Sequence, residues 1–158
     1  HSTSYQLRPA EQRSTAGRAR EAAGALEAGR AQYPGDIAAS RILEQLYAKP
    51  LNDRQTAARL ELRRLQRTGD PGATAARRAK LLLDLFNFEQ LPDTLRLAVD
   101  HARQNNEDVT QWGGMICGDV YARVLEGACP PDIGLESISI ICDNVDNLVY
   151  ACHPARLR

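Results

Sequence analysis

Apolar residues recur at helical intervals in one segment after another, with charged residues between them. Residues 36–48 set Ala39, Ile42, Leu43 and Leu46 on one stripe, which predicts an amphipathic helix. Over residues 53–68, with Asp53 as N-cap, Leu60, Leu62 and Leu65 are expected to face inward and Arg59, Arg63, Arg64 and Arg67 outward. The segment "ATAARRAKLLLDLFNF" adds Leu81, Leu82, Leu85 and Phe86 and is the expected centre of the core. Residues 93–104 repeat the scheme with Leu95, Val99 and Ala102, and "VTQWGGMICGDVYARVLEG" aligns Val109, Ile116, Val120 and Val124. A last helix is expected over residues 135–150, where Ile138, Cys142, Val145 and Val149 alternate spacings of four and three. The alternation in "SISII" would suit a strand, but the helical rhythm runs well past it.

The first segment, "AEQRSTAGRAREAAGALEAGRAQ", is rich in helix formers yet has few large apolar groups, with Leu26 inside it and Tyr33 just beyond. It is expected to pack through its alanines and glycines. Prolines punctuate the pattern in "YPGD", "GDPG", "LPDT" and "CPPD", each beside an Asp able to cap the next helix. The fold class predicted is all-α, an irregular array of about six to seven helices in stacked α-hairpins within a single domain, 1–158. Residues 1–8 are expected to be disordered or tag-derived, and 105–158 to form a cysteine-containing acidic C-terminal hairpin. The stretch "EAAGALEAGRAQYPGD" resembles the second helix of a tetratricopeptide unit, but the register of that repeat fails over residues 38–71.

Charge alters this picture in one respect. Net charge is zero, yet residues 1–104 carry 17 basic against 12 acidic groups and residues 105–158 carry 3 against 8. The two ends are therefore expected to attract each other. Arginine-rich composition suggests a GC-rich bacterial genome. The chain opens on His1 and its only methionine is Met115, which suggests processing from a longer precursor. No apolar run approaches the roughly 20 residues that span a bilayer.

All four cysteines, Cys117, Cys129, Cys142 and Cys152, fall in the last 42 residues. An even number confined to one end points to disulfides, and hence to an exported, periplasmic or extracellular protein. Separations of 12, 13 and 10 residues do not suit a zinc site. Cys142 and Cys152 in one unbroken helix would stand ~15 Å apart, too far to bond. An antiparallel hairpin turning near "ACPPDIG" would set Cys117 opposite Cys142, which makes that bridge the expected one and leaves the second pairing open.

Candidate chemistry is sparse. His1, His101 and His153 form no metal or nucleophile motif, and no glycine loop suits a phosphate, so no catalytic residue, metal or cofactor is assigned. The arginine face of Arg59, Arg63, Arg64, Arg67, Arg77 and Arg78 is the strongest electropositive feature. It lacks the interleaved aromatics of a nucleic-acid surface, which leaves a protein, an anionic lipid or an acidic polysaccharide as its partner. Trp112 is the candidate interface anchor. These features predict a non-catalytic interaction or adaptor module of the bacterial envelope, serving secretion, surface-polymer assembly or the tail of a membrane protein. Two alternatives are an inhibitor or immunity protein with an acidic patch at Asp119, Glu126, Asp132 and Glu136, and an enzyme with dispersed residues around His101.

Overall fold

A computed structural model describes the backbone of residues 3–145 and the side chains of residues 15–145. Among the described residues there are seven helices and no strand: α1 Thr3–Gln32, α2 Ile37–Ala48, α3 Arg54–Arg67, α4 Ala75–Asp84, α5 Leu91–Gln104, α6 Thr110–Leu125 and α7 Pro131–Cys142. None of these helices is long and apolar enough to cross a membrane, among the described residues. The chain divides into two compact units, residues 1–64 and 65–158, with the boundary inside α3.

In the first unit α1 packs on α2, and Ala23, Leu43 and Leu60 form the core, lined by Leu26, Leu46, Tyr47 and Leu51. The alanines of α1 do the packing, with Ala19 and Ala23 buried, while Gly17, Gly24 and Gly29 border open space. Asp36 caps α2 by accepting from the Ala39 N–H at 3.1 Å. Asp53 caps α3 through the Thr56 N–H at 3.1 Å and the Thr56 hydroxyl at 2.6 Å. These bonds to Thr56 hold the Asp53 carboxyl below its usual range. Arg64 and Glu44 join α3 to α2 through paired contacts of 2.7 and 3.1 Å.

In the second unit α4 packs on α5 and α6, and α7 packs on α5 and α6, so the pairs α4–α5 and α6–α7 stack into a four-helix cluster. Its centre is Leu82, Leu83, Leu91, Leu95, Ile116, Val120, Ile138 and Ile141, all nearly inaccessible. Gly134 fixes how closely α7 approaches α6, because a β-carbon there would lie 2.4 Å from Val124 Cγ2 and 3.5 Å from Val120 Cγ1.

Two sequence expectations give way here. Phe86 is not a core residue: α4 ends at Asp84, Phe86 takes φ 56°, and its side chain is 51% exposed while Leu83 is buried instead. The bridge expected between Cys117 and Cys142 is absent, and Cys117, Cys129 and Cys142 are not joined to one another. Pro131 starts α7 four residues earlier than the pattern suggests and Cys142 is its last residue. The buried stripe of α7 is Gly134, Ser137, Ile138 and Ile141, so Cys142 stands at its edge, half-buried, while Cys117 is fully buried. Cys129 packs at the turn, its Sγ 3.6 Å from where a Gly134 β-carbon would be. Any pairing that involves Cys152, and the helix expected beyond residue 145, lie outside the described residues.

Candidate functional site

Three helices of the second unit end in the same hydrogen-bonded turn. After α5, Asn106 is left-handed at φ 53° and the Glu107 N–H donates back to the Ala102 carbonyl at 2.8 Å. After α6, Gly127 is left-handed at φ 78°, with Gly127 N–H to Val124 O at 3.0 Å and Ala128 N–H to Arg123 O at 2.9 Å. After α4 the corresponding bonds run from Phe86 N–H to Leu83 O at 3.1 Å and from Asn87 N–H to Leu82 O at 2.9 Å. Glycine and asparagine are the residues that tolerate this position. Phenylalanine is not, because its β-carbon crowds the following carbonyl and it lacks the short polar side chain whose local hydrogen bonds offset that crowding in asparagine.

The Phe86 ring is held in place from two sides. The Arg123 guanidinium lies 4.7 Å from the ring centroid, and Phe88 meets it edge-on at 6.0 Å and 84°. Arg123 also pairs with Glu126 at 3.3 Å. The result is a half-exposed aromatic of fixed orientation at the α4–α6 end of the cluster. No periodicity signal marks it, since helical spacing alone places Phe86 on the apolar stripe of α4.

The arginine face is divided by internal commitments. Arg59 and Arg63 are exposed on α3, whereas Arg64 is held by Glu44. Arg67 and Arg77 are exposed, but Arg78 donates to the Pro71 carbonyl at 2.6 Å and to Thr74 Oγ1 at 3.1 Å. Burial lowers the Arg78 pKa from its ordinary value. Trp112 is half-buried on α6, and Met115, one turn on, is exposed.

The acidic groups named for an inhibitor surface are mostly paired. Asp119 binds Lys80 at 3.1 Å and raises its pKa, while Glu126 binds Arg123 and Glu136 binds Arg96. Asp132 is exposed in the first turn of α7.

His101 sits between two carboxylates, with Asp70 Oδ2 3.8 Å from Nδ1 and Glu107 Oε1 3.9 Å from Nε2. Both separations exceed hydrogen-bonding distance, so neither acid fixes the ring for proton transfer. Gly72 lies against the ring, since a β-carbon there would be 2.9 Å from His101 Cβ. The cluster thus ties the loop before α4 to the end of α5.

A cavity of about 330 Å³ opens beside it. Its floor is Val99, Ala102 and Val109, all buried, and its rim is Arg103, Asn106, Glu107, Asp108 and Asn144. His101 and Asp70 are not among the lining residues. Asp108 caps α6, its Oδ1 accepting the Thr110 N–H at 2.9 Å, and the bonds to Thr110 depress its pKa. Among the described residues no group of three metal-ligating side chains converges. Comparison with protein-family models, curated proteins and solved structures finds no match.

Proposed function

We propose that the chain is a non-catalytic helical protein-interaction module and that Phe86 anchors its partner. The observation that carries this reading is an aromatic side chain, half-exposed, at a left-handed turn position that Asn106 and Gly127 fill on the neighbouring helices. A residue with a β-carbon and no short polar side chain to offset the crowding costs about 1–2 kcal/mol there. Backbone strain of this kind collects at binding surfaces, where association with a partner offsets it. Large aromatics are also the side chains that dominate interface energetics, and a ring already oriented by Arg123 loses little freedom on binding. The inhibitor alternative is less favoured, because three of the four acids it needs are already paired with cations. The dispersed-enzyme alternative is less favoured because His101 does not line the cavity beside it.

The proposal keeps the bacterial envelope as the place of action, with a protein, an anionic lipid or an acidic polysaccharide as partner for the exposed arginines of each unit taken by itself, Arg59 and Arg63 in the first and Arg67 and Arg77 in the second. That location rests on composition and on cysteine number, with no bridge among the described residues behind it. Native mass before and after reduction tests it: a gain of two hydrogens, from one bridge that involves Cys152, supports an exported protein, and no gain removes the argument. The interaction itself is tested with wild-type chain and Phe86→Asn as matched baits against an envelope fraction, followed by titration of the purified candidate. A partner whose affinity falls tenfold or more for Phe86→Asn supports the reading. Equal affinity for both baits overturns it.

A further inference from the structure

We propose that the cavity at the end of α5 binds a small zwitterion with an apolar side chain, of the size and kind of a free aliphatic amino acid. The inference is independent of Phe86 and of the partner it anchors. Its volume of about 330 Å³ sits at the low end of the range for small-molecule sites, which suits an amino acid rather than a nucleotide or a sugar chain.

Three chemistries meet in it. Val99, Ala102 and Val109 form an apolar floor for an aliphatic side chain. Arg103 makes no ion pair among the described residues and lies on the rim, where its planar guanidinium can hold a carboxylate through two donors. Glu107 supplies the opposite charge, because its neighbour Asp108 is already engaged in capping α6. Asn144 adds a neutral acceptor to the lining: its Nδ2 donates to the Ile140 carbonyl at 2.7 Å, which leaves its Oδ1 free to accept.

The left-handed turn at Asn106 makes this arrangement. It reverses the chain directly after Gln104 and brings Glu107 back over the last turn of α5, where its N–H bonds Ala102. Charges of both signs are therefore four residues apart in sequence but border one apolar floor. A ligand with only one charge would engage only one of the two exposed rim charges, Arg103 or Glu107, and leave the other to solvent. That favours the zwitterion over a simple amine or a fatty acid.

The test is titration of the ¹⁵N-labelled chain, residues 1–158, with L-norleucine, with hexanoate and hexylamine as probes lacking one charge each. We expect L-norleucine to saturate shifts confined to residues 99–109 and 144, with hexanoate and hexylamine at least tenfold weaker. Arg103→Ala and Glu107→Gln should each weaken L-norleucine tenfold or more while leaving the remaining spectrum unchanged. The proposal is overturned by no saturable shift at 20 mM L-norleucine, by equal binding of the three probes, or by variants that bind like wild type. Should either charge variant unfold, Val99→Phe, which fills the floor without touching the charges, must abolish the shifts.

Discussion

Replacing Phe86 by alanine and by glycine separates the ring from the backbone it stands on. Both variants lose the cation–π contact with Arg123, about 0.5–1 kcal/mol, and the edge-on contact with Phe88, about 0.5–1.5 kcal/mol. They also lose the hydrophobic contribution of a ring that is only half-buried, about 1 kcal/mol. Phe86→Ala should therefore be destabilised by about 2–3.5 kcal/mol, towards the low side of the 3–5 kcal/mol of a fully buried phenylalanine. Phe86→Gly makes the same losses but relieves about 1–2 kcal/mol of left-handed strain, set against about 0.5–1 kcal/mol for the freer unfolded chain. The glycine variant should thus be the more stable of the two by about 0.5–1 kcal/mol. In urea this appears as a higher midpoint at an unchanged slope, and in a thermal scan as roughly 2–3 °C. An alanine variant equal to or more stable than the glycine variant would refute the strain argument. A loss above 4 kcal/mol in both would return Phe86 to the core.

Gly134→Ala should cost about 1–2 kcal/mol despite the better helix propensity of alanine, because its β-carbon meets the stiff Val124 side chain at 2.4 Å; a stabilised variant in chemical denaturation would contradict the packing of α7 on α6. Asp53 and Asp108 have pKa values depressed by their bonds to Thr56 and Thr110, so the stability they add is present at neutral pH and disappears as pH falls through their folded values, below about pH 4. Urea midpoints at pH 6 and pH 3 should consequently fall further for wild type than for the Asp53→Asn, Asp108→Asn double variant, and parallel falls would remove the capping roles. In folded protein kept under reductant, Cys142, half-buried, should alkylate before Cys129, whose thiol burial pushes to a higher pKa; peptide mapping that finds Cys129 first would contradict its buried setting.

The helices were legible because each carries its own signal. Asp36 and Asp53 cap as their sequence positions suggest, and Leu43, Leu60, Leu95, Ile116 and Val120 are buried where the periodicity puts them. The candidate sites were far less legible. Arg64 reads as an outward residue on α3, yet its side chain is only 14% exposed because Glu44, twenty positions earlier, reaches it. Nothing local in the sequence announces that partner. Cys117 and Cys142 look opposed when the turn is centred by counting, but Pro131 and Gly134 set the start and closeness of α7 and leave Cys142 at the edge of the buried stripe.

The sequence alone determines an all-helical chain, where most of its helices lie, and which stripe of each is apolar, because helix periodicity and capping are set by neighbours within a few residues. Tertiary structure decides how the helices end and what their ends bring together. Phe86, Asn106 and Gly127 all occupy left-handed turns after a helix, but only Asn106 and Gly127 are residue types that suit the position. Phe86 is turned outward by the bonds from its own N–H to the Leu83 carbonyl and from the Asn87 N–H to the Leu82 carbonyl, and is held there by Arg123, a contact 37 residues away along the chain. The cavity beside Arg103 and Glu107 likewise exists only once the chain reverses after α5 and Asn144 arrives from the end of α7. Long-range packing chooses among local conformations that differ by only a kcal/mol or two, and that difference is too small to read from composition or spacing.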